Sequence, residues 1–233
     1  MKTYRVNNIF YSLQGEGRNT GRAAVFVRFA GCNLRCPFCD TEFDTYTEMT
    51  AEEIIAKAAS LHPSSSTLPS FIVLTGGEPT LQVDEAFVDL LHNAGYEVAM
   101  ESNGTRPAPQ NLDWLTVSPK ERGERREERG ERFVERGERQ EVRGERMPDE
   151  VKVVFDEHTD PDEFLTHLSS LHKSLSSLLS PLSSSHSPLL YLQPCDTGDA
   201  QRNEAITQAC VDYIKQHPQW RLSLQTHKLI GIE

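Results

Sequence analysis

Short apolar runs alternate along the chain with longer segments in which apolar residues recur at helical spacing. Six runs are rich in β-branched and aromatic residues, and most of them end at Gly, Ser, Asn or Pro, a pattern typical of strands. They are residues 23–31, 71–77, 97–104, 114–120, 151–155 and 189–194. Amphipathic helices are predicted for residues 50–61, 84–96 and 203–218. Thr50 is expected to cap the first helix, and Gly95 to end the second.

The alternation of strands and helices predicts an α/β fold with right-handed βαβ units and a parallel sheet. Polar segments directly follow the predicted strands, and they read GCNLRC, TGGEP, ESNGT, SPK and QPCD. Ligands of open α/β sheets bind at the carboxyl ends of the strands. We therefore expect these segments to line one site.

Two segments interrupt this pattern. Residues 121–148 form a seven-residue repeat in which RGER occurs four times. It has no apolar seam and each repeat contains Gly, so it predicts a solvated, disordered insertion rather than a coiled coil. The interleaved glutamates also weaken an interpretation as an Arg-Gly nucleic-acid arm. After a leucine-rich helical pattern that reaches about Leu179, residues 180–188 predict a Ser/Pro-rich linker.

Composition and charge restrict the class of protein. The 233 residues fit a single domain, residues 1–233, with 37% apolar and 25% charged residues. The net charge of −11 repels phosphate backbones, so a small-molecule partner is expected and nucleic acid is not. The chain contains no apolar run of about 18 residues, and its start lacks the plan of a signal peptide. We expect a cytoplasmic protein with no membrane partner.

The cysteines point to metal chemistry. Three of the five cysteines, Cys32, Cys36 and Cys39, lie within GCNLRCPFCDT, whereas Cys195 and Cys210 stand apart. Cys210 lies in an apolar helical pattern and is interpreted as a core residue; for Cys195 a ligand role is the minor alternative. No second C-x-x-C pair or nearby His completes a structural zinc site. The spacing favours a [4Fe-4S] cluster with one open iron over zinc or buried thiols.

The spacing C-x-x-x-C-x-x-C, with an aromatic residue at Phe38, resembles the signature of the radical S-adenosylmethionine superfamily. More narrowly, residues 7–41, which include SLQGEG, are similar to the start of 7-carboxy-7-deazaguanine synthases, enzymes of 7-deazapurine (queuosine) biosynthesis. TGGEP, ESNGT, SPK, LQPCD and the final LQTHKLIGIE match later landmarks of that family in order. The resemblance implies a partial (β/α) barrel with mostly parallel strands, a cluster loop after the first barrel strand, and a homodimer.

The resemblance also implies how the cofactor is held. The cysteines Cys32, Cys36 and Cys39 would hold the cluster, and its open iron would chelate S-adenosylmethionine. One electron from a donor such as flavodoxin or ferredoxin would then generate a 5′-deoxyadenosyl radical. Contacts to S-adenosylmethionine are expected from Phe38, Asp40, Gly76, Gly77, Glu78, Ser102, Asn103, Ser118, Lys120 and Gln193. Taken singly, such polar strand ends are also ordinary turns or caps.

The implied substrate is 6-carboxy-5,6,7,8-tetrahydropterin, whose ring contracts with loss of ammonia. Gln14 and Glu16 offer the donors and acceptors that a pterin edge needs, and Arg28 can pair with the carboxylate through two nitrogens. The expected substrate contacts are Leu13, Gln14, Gly15, Glu16, Arg28, Thr75, His227 and Glu233. The family usually ends in Pro, so at Glu233 a contact through the terminal carboxylate is expected rather than one through the side chain. The family's magnesium ligand corresponds to Thr41, which would otherwise read as an ordinary loop residue.

Two other classes share some of these features. A glycyl-radical activase or another radical enzyme would share the cysteines and TGGEP, but SLQGEG and QTHK would stay unexplained. A non-catalytic iron-sulfur or zinc-binding protein would bind metal without cleaving S-adenosylmethionine. Turnover of the pterin distinguishes the first alternative from the synthase, and formation of 5′-deoxyadenosine distinguishes the second.

Overall fold

The computed structural model describes residues 2–61, 70–120, 146–161 and 187–232, together with the backbone of residues 124–125. The strands are β1 Thr3–Leu13, β2 Ala23–Phe29, β3 Leu34–Arg35, β4 Thr47–Thr50, β5 Ser70–Gly76, β6 Tyr96–Ser102, β7 Trp114–Val117, β8 Glu124–Arg125, β9 Glu150–Phe155, β10 Leu189–Pro194 and β11 Trp220–Leu222. The helices are α1 Ala51–Leu61, α2 Glu85–Asn93, α3 Ala200–Gln216 and α4 Thr226–Ile230. All six predicted strands and the three predicted amphipathic helices at residues 50–61, 84–96 and 203–218 are confirmed.

Nine of these strands form one sheet in the order β11-β10-β9-β7-β6-β5-β2-β1-β4. From β2 to β11 every described neighbour pair is parallel, as the βαβ pattern predicts. At one edge of the sheet, β1 pairs antiparallel with both β2 and β4. The sheet is therefore mixed and mostly parallel, and this open arrangement suits the expected partial barrel.

The helix ends follow the expected capping chemistry. The Thr50 hydroxyl accepts from the Glu53 N–H at 3.3 Å, and Glu53 accepts from the Thr50 N–H at 2.8 Å, which makes a capping box for α1. Asp84 caps α2 by accepting from the Phe87 N–H at 3.0 Å. Past the end of α2, Gly95 adopts a φ of 88°, a left-handed conformation in which glycine is favoured.

The helices cover one face of the sheet with two apolar cores. The first packs α1 and α2 onto the central strands through residues such as Ile54, Leu74 and Phe87. The second packs α3 onto β9 and β10, and it contains Cys210, whose thiol pKa burial raises to about 12. Cys210 is thus a core residue, as predicted from its helical pattern. No helix in the described part of the chain is long and apolar enough to cross a membrane.

On the opposite face of the sheet, the side chains change from apolar to polar along the strands. Near the amino ends it carries an apolar cluster that includes Phe26, Val73 and Ala99. Because strand residues alternate in the face they present, the next positions on the same face are polar. They include Arg28 and Glu101, which line cavities. The carboxyl ends of the strands therefore carry the polar side chains of this face.

Several sequence predictions concern residues that the structure does not describe. The predicted leucine-rich helix, most of the RGER repeat and most of the 180–188 linker lie outside the described residues. Within the repeat, the backbone of β8 pairs antiparallel with β3, which lies between the first two clustered cysteines. This pairing places the start of the repeat beside the cysteine loop.

Candidate active site

The three clustered cysteines lie on the loop that joins β2 to β4 and border one cavity of about 220 Å³. None of these three cysteines is in a disulfide bond. Cys32 Sγ accepts from the Leu34 N–H at 3.4 Å, and the Cys39 N–H donates to the Cys36 carbonyl at 3.1 Å. Burial raises the pKa of the Cys32 and Cys36 thiols.

These thiols fit a [4Fe-4S] cluster. Thiolates are the usual protein ligands of such clusters, and here one loop brings three of them to one cavity. Among the described residues, no three His, Cys, Asp or Glu side chains converge as they would around a single metal ion. A cluster does not require the three sulfurs to converge on one ion, because each thiolate of a cluster binds its own iron.

The TGGEP segment fixes the cysteine loop against the end of β5. The Gly77 N–H donates to the Phe29 carbonyl at 3.0 Å, and the Glu78 N–H donates to the Gly31 carbonyl at 2.9 Å. A Cβ on Gly77 would lie 2.1 Å from the Gly31 oxygen, and one on Gly76 would lie 2.1 Å from the Phe29 oxygen. Only glycine allows the two backbones to approach this closely.

Glu78 is fully buried and is not among the described residues that line the cavity. Its carboxylate accepts from the Thr80 N–H at 3.0 Å and hydroxyl at 2.6 Å, from the Ser102 hydroxyl at 2.9 Å, and from the Asn103 N–H at 2.7 Å. Asn103 in turn donates to Asn33 Oδ1 at 3.0 Å. In this geometry Glu78 orients Ser102 and Asn103, which do border the cavity.

Most of the residues predicted to bind S-adenosylmethionine come together here. The cavity is bordered by Phe38, Asp40, Gly76, Gly77, Ser102, Asn103, Ser118, Lys120 and Gln193. Lys120 Nζ donates to the Ser118 hydroxyl at 2.7 Å and lies 5.8 Å from the centre of the Phe38 ring. Five polar loops that follow different strands thus share one site, as expected for the carboxyl edge of a parallel sheet.

A second cavity of about 290 Å³ adjoins the first. It brings together the residues predicted to bind the pterin, namely Leu13, Gln14, Gly15, Glu16, Arg28, Thr75 and His227. Gln14 Nε2 donates to Glu101 Oε1 at 2.9 Å, and the Arg28 guanidinium lies 5.3 Å from the centre of the Phe10 ring. Glu233 lies outside the described residues.

Thr41 and Asp40 border both cavities. The Thr41 hydroxyl lies 3.4 Å from Asp40 Oδ1. Lys228 of α4 donates to Asp40 at 2.6 Å and to Asp196 at 2.9 Å, and this contact lowers the pKa of the Asp196 carboxyl to about 2. The C-terminal helix is therefore tied to the cysteine loop at the point where the cavities meet.

The cavities also contain residues that the sequence analysis did not select. Glu101, Lys152, Gln225 and Asp196 border the first cavity, and the buried Cys195 lies beside them. The sequence does mark Lys152 as unusual, because it is a charged residue inside the apolar run VKVVF. A buried lysine on a strand requires a partner, and the sequence does not show which residue that is.

The chain resembles known proteins over nearly its whole length. Residues 26–122 match the model of the Radical SAM superfamily. The 7-carboxy-7-deazaguanine synthase of Bacteroides thetaiotaomicron is 42% identical over 228 residues, which cover 98% of each chain. That of Bordetella pertussis is 38% identical over 98% of this chain and 99% of its own.

A solved structure, the crystal structure of QueE from Escherichia coli, matches 95% of this chain and 93% of its own with a TM-score of 0.62 and 25% identity. With this fold, three thiols at one cavity and relatives of this similarity, the chain belongs to the 7-carboxy-7-deazaguanine synthase family of radical S-adenosylmethionine enzymes.

Proposed function

We propose that the protein converts 6-carboxy-5,6,7,8-tetrahydropterin into 7-carboxy-7-deazaguanine with loss of ammonia. The observation that carries this proposal is the shared wall between the two cavities. Glu16, Thr41 and Glu101 border both, so a radical source held by the cysteines would lie next to a pocket that contains Arg28. A flat, polar and anionic substrate suits the second pocket in its size and chemistry.

The cluster and S-adenosylmethionine, when bound, supply a 5′-deoxyadenosyl radical that removes hydrogen from the substrate. The protein's own residues hold and orient the cluster, the cofactor and the substrate. Cys32, Cys36 and Cys39 would hold the cluster. Gly76 and Gly77 leave room for the methionine end of the cofactor, and Ser118 and Lys120 form a hydrogen-bonded pair that can bind polar groups.

In the second cavity, the pterin edge would meet Gln14 and Glu16, and its carboxylate would meet Arg28. The planar guanidinium can bind a carboxylate through two parallel hydrogen bonds. His227 follows directly on Thr226, whose N–H donates to the Gly15 carbonyl at 3.0 Å, so α4 is fixed beside the substrate loop. This contact would close the pocket around the substrate.

We propose further that Mg²⁺ binds at Thr41 together with the substrate carboxylate. Magnesium prefers oxygen ligands and usually retains several waters, so a single protein hydroxyl beside the Asp40 carboxylate is a sufficient protein contribution. The ion would orient the carboxylate and stabilise negative charge during the rearrangement.

A reduced flavodoxin or ferredoxin is the proposed electron donor, and a homodimer the proposed assembly. The net charge of −11 again disfavours a nucleic-acid partner. Sedimentation of the reconstituted protein would test the assembly, and reduction by each purified donor would test the electron source.

Product analysis tests the proposed function. The reconstituted protein, reduced under argon, is given the pterin, S-adenosylmethionine and Mg²⁺, and the products are identified by mass spectrometry. We expect 7-carboxy-7-deazaguanine, with the yield reduced when Mg²⁺ is omitted. If 5′-deoxyadenosine forms without the deazapurine, another radical enzyme is indicated; if neither forms, the protein is not a radical enzyme under these conditions.

Replacing Arg28 with lysine is expected to raise the KM for the pterin by about tenfold, since one of two parallel charged hydrogen bonds is lost. The kcat should change less, because the carboxylate is bound in both ground and transition states. Steady-state kinetics measures both constants.

Arg22→Lys is the matched control for Arg28→Lys. Arg22 also makes a two-nitrogen contact, to Glu97 at 2.7 and 2.5 Å, but it is not among the residues that line either cavity. The KM of the Arg22→Lys variant for the pterin should match that of the unmodified protein. An unchanged KM in Arg28→Lys would exclude Arg28 as the carboxylate partner.

The sequence of the RGER repeat is expected to be dispensable. Replacing residues 126–145 with an equally long Gly/Ser segment keeps the loop length, so its closure entropy is nearly unchanged. Product formation should stay within about tenfold, or 1.4 kcal/mol of barrier. A larger loss in the same product assay would show that the repeat itself contributes to function.

A further inference from the structure

Lys152 is a buried, positively charged residue on a strand that borders the first cavity. It lies on β9, where its neighbours Val151 and Val153 belong to the apolar core under α3. Alternation along the strand therefore directs Lys152 to the opposite, cavity face, where it is 5% exposed. Burying an ammonium group is costly unless a charged partner compensates.

That partner is Glu16. Lys152 Nζ donates to Glu16 Oε2, and the two residues are 136 positions apart in the chain. The other carboxylate oxygen of Glu16 accepts from Gln225 Nε2 at 3.1 Å and from Gln193 Nε2 at 3.3 Å. Three donors from separate parts of the chain thus fix one carboxylate, and Lys152 is the charged one among them.

More carboxylates than ammonium groups surround the Lys152–Glu16 pair. Glu101 and Glu150 also face Lys152, while Lys120 faces it as a second cation. Burial by itself would lower the pKa of Lys152, but the surrounding carboxylates outweigh it and raise that pKa. Burial would likewise raise the pKa of Glu16, yet Lys152, Gln225 and the nearby His227 lower it. Both groups are therefore charged at neutral pH.

We propose that Lys152 is a positioning residue that keeps Glu16 ionised and oriented for the pterin edge. The inference rests on the proposed function, because it treats Glu16 as a substrate contact. Lys152 then acts on substrate affinity through Glu16, and the formation of 5′-deoxyadenosine in the absence of pterin does not depend on it.

Replacing Lys152 with methionine removes the charge and keeps most of the side-chain volume. We expect the KM for the pterin to rise by about tenfold or more, as for a lost charged hydrogen bond. Without the ammonium group Glu16 stays buried beside Glu101, so its pKa rises and it becomes protonated at a pH where it is now anionic. The acidic limb of the kcat/KM profile should move to higher pH by about one to three units.

Other variants separate positioning from structural support. Lys152→Arg keeps the charge and should recover most of the substrate affinity. Glu150→Gln changes the charge of the same cluster by one, but the Glu150 carboxylate accepts from the Arg18 N–H at 2.9 Å, whereas Glu16 is held by Lys152, Gln193 and Gln225. Its KM and pH profile should match those of the unmodified protein. If Lys152→Met does not fold, Lys152→Met/Glu150→Gln removes one excess carboxylate and should show the same raised KM and shifted limb.

The readouts are KM, kcat, the pH profile, and 5′-deoxyadenosine formed by the reconstituted protein with and without pterin. A raised KM and shifted limb, with pterin-independent cleavage within about twofold of the unmodified protein, support the inference. An unchanged KM and limb in the methionine variant, or loss of pterin-independent cleavage, would overturn it. If the unmodified protein makes no deazapurine at all, the proposed function fails first; if it does and Lys152→Met behaves identically, the inference alone fails.

Discussion

Replacing Cys36 with alanine is expected to abolish the formation of 5′-deoxyadenosine, with a loss of at least about a thousandfold, or some 4 kcal/mol of barrier. Cys36 and its two neighbours in the motif border the same cavity, and each would bind a different iron. Without the Cys36 thiolate only Cys32 and Cys39 would remain to hold the cluster, and two thiolates would not hold it stably. Iron content, visible absorbance and chromatography of the nucleoside product measure the effect.

Cys210→Ala is the matched control for Cys36→Ala. Cys210 is fully buried in the core under α3 and lies away from the cavity, so its replacement should cost about 1 kcal/mol of stability and leave the iron content unchanged. Cys195→Ala tests the one further cysteine that borders the cavity, and it too should retain the cluster. Cleavage that survives in Cys36→Ala would contradict the cluster assignment.

Periodicity was sufficient to predict the central sheet and its helices, because those strands are buried on both faces and read as continuous apolar runs. β1 was not predicted, since Asn7 and Asn8 interrupt its apolar pattern and only alternate residues such as Tyr4 and Val6 are buried. β4 and β11 span four and three residues, too few to show a period. Two of these weakly patterned strands, β1 and β4, form the antiparallel edge of the sheet.

The site was predictable where it lies on loops and less so where it lies within strands. The cysteine motif and the polar strand ends stand out because such loops rarely serve the core. Glu101 and Lys152 occur inside strands, where sequence alone does not show which face a residue presents. The partner of Lys152 is set by the sheet order, and a single sequence contains no record of that long-range pairing.

Glu78 has partners in the structure that its place in TGGEP does not show, and its contact with S-adenosylmethionine stays a prediction. Its position in TGGEP predicts a contact with the ammonium group of S-adenosylmethionine, whereas the structure occupies its carboxylate with Thr80, Ser102 and Asn103. The motif indicates that an acid is needed, but both roles use the same residue type. Only the backbone path of β6 decides which groups reach the carboxylate.

Replacing Gly77 with alanine is expected to reduce formation of 5′-deoxyadenosine by about a hundredfold, because the added methyl group would displace the cysteine loop. Its Cβ would lie 2.1 Å from the Gly31 oxygen and 3.0 Å from the Cys32 nitrogen. The loop cannot yield locally, since the Gly31 N–H donates to the Phe43 carbonyl at 3.1 Å and its oxygen accepts from Glu78. A shift of about 1 Å would move Cys32 relative to the other two thiols, which the iron content and the cleavage rate would record.

Gly95→Ala separates this effect from a general loss of stability. Gly95 has a φ of 88° and open space around its Cβ position, so alanine there should cost about 1 to 2 kcal/mol of folding free energy without touching the site. Thermal unfolding of both variants, compared with their cleavage rates, distinguishes the two causes. We expect Gly95→Ala to lose stability and keep cleavage, and Gly77→Ala to lose cleavage by more than its stability accounts for. Cleavage within about tenfold of the unmodified rate in Gly77→Ala would show that the loop can absorb a methyl group, and that close packing between TGGEP and the cysteine loop is not what positions the cluster.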